Sequence, residues 1–370
     1  MNYDRTIVIT GFVSDGPRHG FTYEVNGRRR GMYAFLSGVD IPDFFHELFL
    51  GLCLVAPHGV IWPRRGGVPK GRFLVDVNVP ISEACVRFMN RVTVLSGLDV
   101  SVRTRKIASD FDYHDSDGGW LVPFSGGKDS GLIYCIFDEL GCDMSLLHAV
   151  QENTLWYPDR KVTQVRMSQW NQGSLAMGVA CAIADGHSRV AYGFNYNAQV
   201  PTPDVYSVEW NDFLVHLNDY LSLHTDVRCS SPISNIPGLI VQRILHERYP
   251  DFIQTYTPAY GHALQRMMNL YLGRPFPDTF DDTVDLAVFV PSDEMSWRIA
   301  NMELQNIYVR LKGHPMLGDN PLQEGEVVEW LDKYQKRDAQ PLYLPDGFED
   351  IIREHAEPDH NWHLHEITSF

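Results

Sequence analysis

From Trp120 onward the chain alternates short apolar strands with amphipathic helices, and a Gly-Gly turn stands at the first junction. This alternation constrains the fold more than any other feature. Trp120–Phe124 reads as a buried strand. Asp129–Leu140 places Leu132, Ile133, Ile136, Phe137 and Leu140 on one helical face. A second strand is expected at Met144–Val150, a small-residue helix at Gln172–Asp185 and a third strand at Arg189–Phe194. Another helix (Glu209–Leu223) and a fourth strand (Asp226–Ser231) follow. Units of this length imply right-handed crossovers and a parallel sheet.

The first junction reads Phe124-Ser-Gly-Gly-Lys-Asp-Ser130. Gly126 and Gly127 let the backbone bend so that several N–H groups face one concave side, where an anion fits. The helix N-terminus behind them adds the positive end of its dipole. Ser125 and Ser130 supply hydroxyls, Lys128 a mobile positive charge, and Asp129 a carboxylate able to hold magnesium or fix the loop. The spacing differs from the G-x-x-x-x-G-K-[ST] nucleotide loop.

The flanks have a different texture. Residues 1–115 read as an α+β domain of unassigned role. Strands are expected at Thr6–Val13 and Phe21–Val25, with a Gly-Arg-Arg-Arg-Gly turn at 27–31. Ile41–Val55 is apolar at helical spacing, and Val92–Arg103 reads as a strand pair around Gly97. The basic clusters Arg28–Arg30 and Arg64–Arg72 read as solvated turns. Acidic, Gly-ended Ser109–Gly119 marks the expected boundary of an α/β domain at 116–270. Residues 271–370 form an expected helical extension, with Ser292 capping a helix to Leu311 that Gly313 and Pro315 end.

Thirty-one Lys and Arg against 47 Asp and Glu give a net charge of −16, which disfavours a chain devoted to gripping a phosphate backbone. The six cysteines include no C-x-x-C pair, so neither a zinc ribbon nor a dithiol site is signalled; Cys135 and Cys181 read as buried reduced thiols. No apolar run is long enough to span a bilayer and the amino-terminal residues lack a signal core, so a cytoplasmic protein without membrane partners is expected.

The Ser-Gly-Gly-x-Asp-Ser motif between a strand and a helix resembles the signature of the PP-loop ATP pyrophosphatase superfamily. That resemblance implies ATP bound on a Rossmann-like parallel sheet, adenylation of a carbonyl or carboxyl oxygen with release of pyrophosphate, and displacement of AMP by a nitrogen or sulfur nucleophile. Tyr192-Gly-Phe-Asn195, Pro203-Asp204, Glu209, Phe213 and Asn218, followed by Ser231–Leu245, are similar to the 7-cyano-7-deazaguanine synthases over residues 118–260. By that likeness Ser125, Lys128 and Asp129 are catalytic, and ATP contacts 125–130 with Gly193 and Asn195. Asn195, Asp204 and Glu209 meet the substrate, and Asp129 holds Mg²⁺. The chemistry alone also allows Asn195 and Asp204 to be turn caps.

The departures are as informative. The synthases hold zinc on four cysteines, but Cys229 is the only cysteine after Cys181, and Tyr256-Thr-Pro258 stands where the first ligand would fall; no zinc is expected. They also usually carry leucine where Lys128 stands. The expected protein is therefore a divergent ligase of the kind found with specialised operons such as antiphage defence systems. Its expected acceptor is a small carboxylate, a deazapurine among the candidates, or a protein or peptide, and its expected partner a second copy or an operon-encoded protein. The competing classes are a transfer-RNA-modifying PP-loop enzyme and a nucleotide-binding subunit of a larger complex.

Weaker signals remain. Four histidines at 355, 360, 363 and 365 read as a solvated tail rather than a metal site. Gln151-Glu152-Asn153 and a helix carrying Arg160 and Lys161 lie where a nucleotide could be met. Trp156, Trp170 and Trp210 could stack on a base but are more commonly core residues.

Overall fold

The computed structural model describes residues 3–255 apart from 56–58, 63–68, 96, 105, 109–110, 126, 150–160, 169–171, 194–209, 235 and 237, together with 343–355. Five parallel strands form this part: β6 (Trp120–Pro123), β7 (Met144–Ala149), β9 (Arg189–Ala191) and β10 (Arg228–Ser230), which match the expected alternation, and β8 (Val162–Met167), which does not appear in it. Their spatial order is β8-β7-β6-β9-β10, every neighbouring pair parallel. Numbered within the unit, this is 3-2-1-4-5, an arrangement compatible with a Rossmann-like α/β fold.

Helices cover both faces of these strands. Leu121, Leu147, Val165, Val190 and Cys229 share one apolar cluster with α4 (Gly173–Asp185) and α5 (Trp210–Leu221). Their strand neighbours Val122, Leu146 and Ala191 point the other way, into a cluster with α3 (Lys128–Glu139), α6 (Gly238–Arg248) and Phe252 of α7 (Pro250–Thr255). Strands buried on both sides must be apolar almost throughout, which is why WLVP and MSLLHA lack the polar alternation of a half-exposed strand. A last helix, α8 (Phe348–Arg353), lays Phe348 against Phe137 of α3 with ring centroids 5.9 Å apart.

Five further strands extend the same sheet: β1 (Arg5–Asp15), β2 (Arg18–Val25), β3 (Arg28–Leu36), β4 (Arg72–Val77) and β5 (Asp99–Thr104). The full order is β10-β9-β6-β7-β8-β3-β2-β1-β4-β5. β3 joins β8 antiparallel, with Ala34 opposite Met167 and Leu36 opposite Val165. Helices α1 (Phe45–Val55) and α2 (Glu83–Leu95) lie on the α4 side. A Cβ on Gly173 of α4 would stand 2.5 Å from Cys53 Sγ and 2.6 Å from the Phe49 ring, so α1 and α4 touch where only glycine fits. The sheet and this cluster run unbroken from residues before 115 to residues after it.

Some local expectations are corrected. Arg28–Arg30 open β3, and the hairpin turn is Asn26-Gly27, both at positive φ. Val92 ends the buried stripe Cys85, Phe88, Met89, Val92 of α2, so only the second half of Val92–Arg103 is a strand. Lys161 precedes β8 instead of lying on a helix, and its ammonium is paired with Asp185. Cys135 and Cys181 are buried free thiols, as expected. Among the described residues no helix is long and apolar enough to cross a membrane.

Candidate functional site

In a 3-2-1-4-5 sheet the crossovers leave the first strand in opposite directions, opening a crevice at the carboxyl ends of the first and fourth strands. Here those strands are β6 and β9. The Ser-Gly-Gly-Lys-Asp-Ser turn leaves β6, and Tyr192-Gly193 leaves β9. The chain thus brings its most anion-friendly turn to the place where such sheets bind ligands.

The turn is held from both ends. Phe124 N–H donates to Leu147 O at 2.8 Å, and the Phe124 carbonyl lies 3.0 Å from Nδ1 of buried His148. Ser125 and Ser130 bridge the turn: their hydroxyls are 3.2 Å apart, and Ser130 Oγ accepts from Ser125 N–H at 3.2 Å. Ser125 Oγ accepts from Gly127 N–H at 3.2 Å, and Ser130 Oγ donates to Gly127 O at 3.3 Å. These long bonds set the loop's shape and engage both serine oxygens within it.

Helix α3 starts at Lys128 with Gly127 as its N-cap, at φ −81° and ψ 162°, and no side chain caps it. An α-helix leaves its leading N–H groups without intrahelical acceptors, and the uncapped end concentrates roughly half a positive charge. Lys128 brings a buried ammonium there, but Nζ donates to Asp129 Oδ1 at 2.6 Å, so the pair as it stands is neutral. Gly131 closes the first turn with its N–H on Gly127 O at 2.8 Å, and its missing side chain admits Phe252, whose ring would lie 2.5 Å from a Cβ there.

Gly193 packs directly against this turn. A Cβ on it would stand 3.2 Å from Asp129 Cβ and 3.2 Å from Ser130 N. Of the expected contacts, Ser125, Gly127, Lys128, Asp129, Ser130 and Gly193 therefore lie together beyond the carboxyl end of β6. Gly126, Asn195, Asp204 and Glu209 lie outside the described residues, as do Gln151–Asn153, Arg160, Trp156, Trp170 and the side chain of Trp210. Three of the four tail histidines lie outside as well; His355 places Nδ1 3.2 Å from Glu247 Oε2.

Two nearby residues escaped the sequence reading. His148 orients the carbonyl from which the turn departs, and nothing local distinguishes it from any histidine in a strand. Ser230, at the carboxyl end of β10, buries a hydroxyl with no hydrogen-bond partner among the described residues. A groove of about 370 Å³ lies at the opposite edge of the sheet, lined by Ser37, Lys161, Gln164, Cys181 and Asp185. Its lysine is already neutralised by Asp185.

Asp129 is one carboxylate in the first turn of α3. Mg²⁺ is commonly held by one or two carboxylates together with a substrate's phosphates, so this donor set suits a nucleotide-bound magnesium better than a free one. Among the described residues no three His, Cys, Asp or Glu side chains gather as a metal site. Compared with known proteins, the chain matches no family model, no curated protein and no solved structure.

Proposed function

We propose that the chain is an ATP pyrophosphatase that adenylates an oxygen of a carboxylate or amide substrate and transfers the activated group to ammonia or an amine. The observation that carries this reading is the meeting of the Ser125–Ser130 turn and Gly193 at the carboxyl ends of the first and fourth strands of a 3-2-1-4-5 sheet.

In this reading the leading amides of α3, with the hydroxyls of Ser125 and Ser130, bind the β- and γ-phosphates of ATP. Lys128 leaves Asp129 to neutralise the pyrophosphate as it departs. Preorganised donors of this kind are worth most where charge develops, because no reorientation is needed at the moment of reaction. Asp129, freed from Lys128, would hold Mg²⁺, which supplies further charge neutralisation at the phosphates. A substrate oxygen attacks the α-phosphorus in line with the leaving pyrophosphate. The amine then attacks the activated carbon, AMP leaves with the oxygen, and the nitrogen loses a proton. Gly193 keeps the floor of the crevice low enough for the nucleotide to approach the turn.

The acceptor is a small carboxylate, with a deazapurine among the candidates, or a protein or peptide. Incubation with Mg-ATP and a panel of such acceptors should yield AMP and pyrophosphate in equal amounts. Ser125→Ala and Asp129→Ala should each abolish that turnover while leaving the melting temperature within a few degrees. Release of ADP and phosphate instead, or full activity in both variants, would refute the assignment.

A further inference from the structure

The edge of the sheet that carries the candidate site also carries a row of cations. β3 runs antiparallel to β8, so its amino end lies beyond the carboxyl end of β8. β2 reverses the direction, β1 reverses it again, and β4 runs parallel to β1. The amino ends of β1, β3 and β4 therefore share an edge with the carboxyl ends of β6 and β9. Arg5 opens β1, Arg28, Arg29 and Arg30 open β3, Lys70 precedes β4 and Arg72 opens it; all six are exposed. The acidic groups among them are Asp4, Glu24 and Asp99, of which Asp99 lies 3.4 Å from Arg72. Six cations against three anions is a local reversal in a chain of net charge −16.

Aromatic rings adjoin this row. Along one face of β3, Arg29 is followed by Gly31, Tyr33 and Phe35, whereas Arg28 and Arg30 share the other face with buried Met32 and Ala34. The Tyr33 ring lies across Gly31, where a Cβ would stand 2.1 Å from the tyrosine hydroxyl. Arg18 of β2 stacks over Tyr33 at 5.1 Å, and Arg166 of β8 over Phe35 at 4.8 Å. Flat rings and guanidinium planes beside a cationic row suit bases and phosphates together. An acidic protein would need the charges but not the rings.

We propose that this edge binds single-stranded nucleic acid, its bases against the Arg29–Tyr33–Phe35 face and its phosphates on Arg29 and, around the exposed end of the strand, on Arg28 and Arg30. From β3 to β6 is three strand spacings, about 14 Å sideways, and the register places Arg28–Arg30 about eight to ten residues, roughly 30 Å, beyond the level of Pro123, so the cationic row stands apart from the Ser125–Ser130 turn. The site is located by strand register alone and does not rest on the adenylation reading.

The test is a fluorescence-anisotropy titration of the full chain, without nucleotide triphosphate, against labelled 20-nucleotide oligouridylate and oligothymidylate. Binding at low salt is expected to weaken steeply as salt rises. Arg28→Gln/Arg29→Gln/Arg30→Gln should weaken it at least tenfold and flatten the log–log salt slope by about 2, at roughly 0.7 per phosphate contact. Tyr33→Leu, which keeps the strand packed, should cost about tenfold with little change in slope. Failure to bind either oligonucleotide, or equal affinity in both variants, would overturn the proposal. Displacement of the oligonucleotide by polyglutamate of equal charge would equally do so, pointing instead to an acidic protein.

Discussion

Gly193 and Asp129 stand back to back: a Cβ added to the glycine would lie 3.2 Å from the Cβ of the aspartate. Gly193 lies two residues past the end of β9 and Asp129 in the first turn of α3, so this contact ties the segment leaving the fourth strand of the unit to the turn that follows the first. Everything proposed for the site follows from that closeness.

Gly193→Ala is the sharpest local test. The neighbours that would have to yield are the Asp129 Cβ, the Asp129 carbonyl carbon and the Ser130 nitrogen, all within 3.3 Å and all on or next to the backbone. Displacing the turn by a few tenths of an ångström should cut ATP-dependent turnover about 10- to 100-fold, with a much smaller loss of stability. Steady-state kinetics beside a thermal melt checks this. Wild-type activity would show that the contact does not shape the site.

The edge strand β10 is held by a side chain in place of a neighbouring strand. Asn218 Nδ2 donates to Cys229 O at 2.8 Å, and Cys229 N–H donates to Asn218 Oδ1 at 2.8 Å. Asn218→Leu strips both buried partners and should cost roughly 2–4 kcal/mol in urea unfolding. Asn218→Asp keeps the acceptor and loses the donor, so it should fall between the variant and wild type. Equal stability of all three would mean the pairing contributes nothing.

Acid should loosen the docking of α6 and α8 on α3. The Arg248 guanidinium, with help from the Tyr249 hydroxyl, pulls the Glu139 carboxyl down from 4.5 to about 2, and Arg248 also pairs with Glu354 beside α8. A carboxyl depressed in the folded state stabilises above its ordinary pKa, and that contribution fades as pH falls from about 4.5 toward 2. Arg248→Met should therefore lower the melting temperature at pH 7 and flatten its decline across this window. An acid limb identical to wild type would contradict the pairing.

The sequence made the parallel unit legible because its signals are local. β6 and β7 are short apolar runs, α3 and α4 carry helical periodicity, and Gly186 ends α4 at φ 74°. The joint between β3 and β8 was not legible, since it pairs residues more than a hundred positions apart. β8 itself was missed: Val165 and Met167 are buried while Gln164 and Arg166 are exposed, a four-residue alternation easily taken for surface. The Arg28–Arg30 run was read as a turn because three consecutive cations are rare in a strand, and only its place at the sheet's edge makes it tolerable. Within the site, the turn and Gly193 were legible from residue type and order, whereas the part played by His148 depends on β7 lying beside β6.

The most direct test of the central claim is a crystal structure of the chain with Mg²⁺ and α,β-methylene-ATP. The account predicts phosphate oxygens on the main-chain N–H groups that lead α3, with the Ser125 and Ser130 hydroxyls turned toward them and Lys128 released from Asp129. Nucleotide bound elsewhere, or a turn whose serine hydroxyls still occupy the Ser125 and Gly127 amides with no phosphate against the helix, would contradict it.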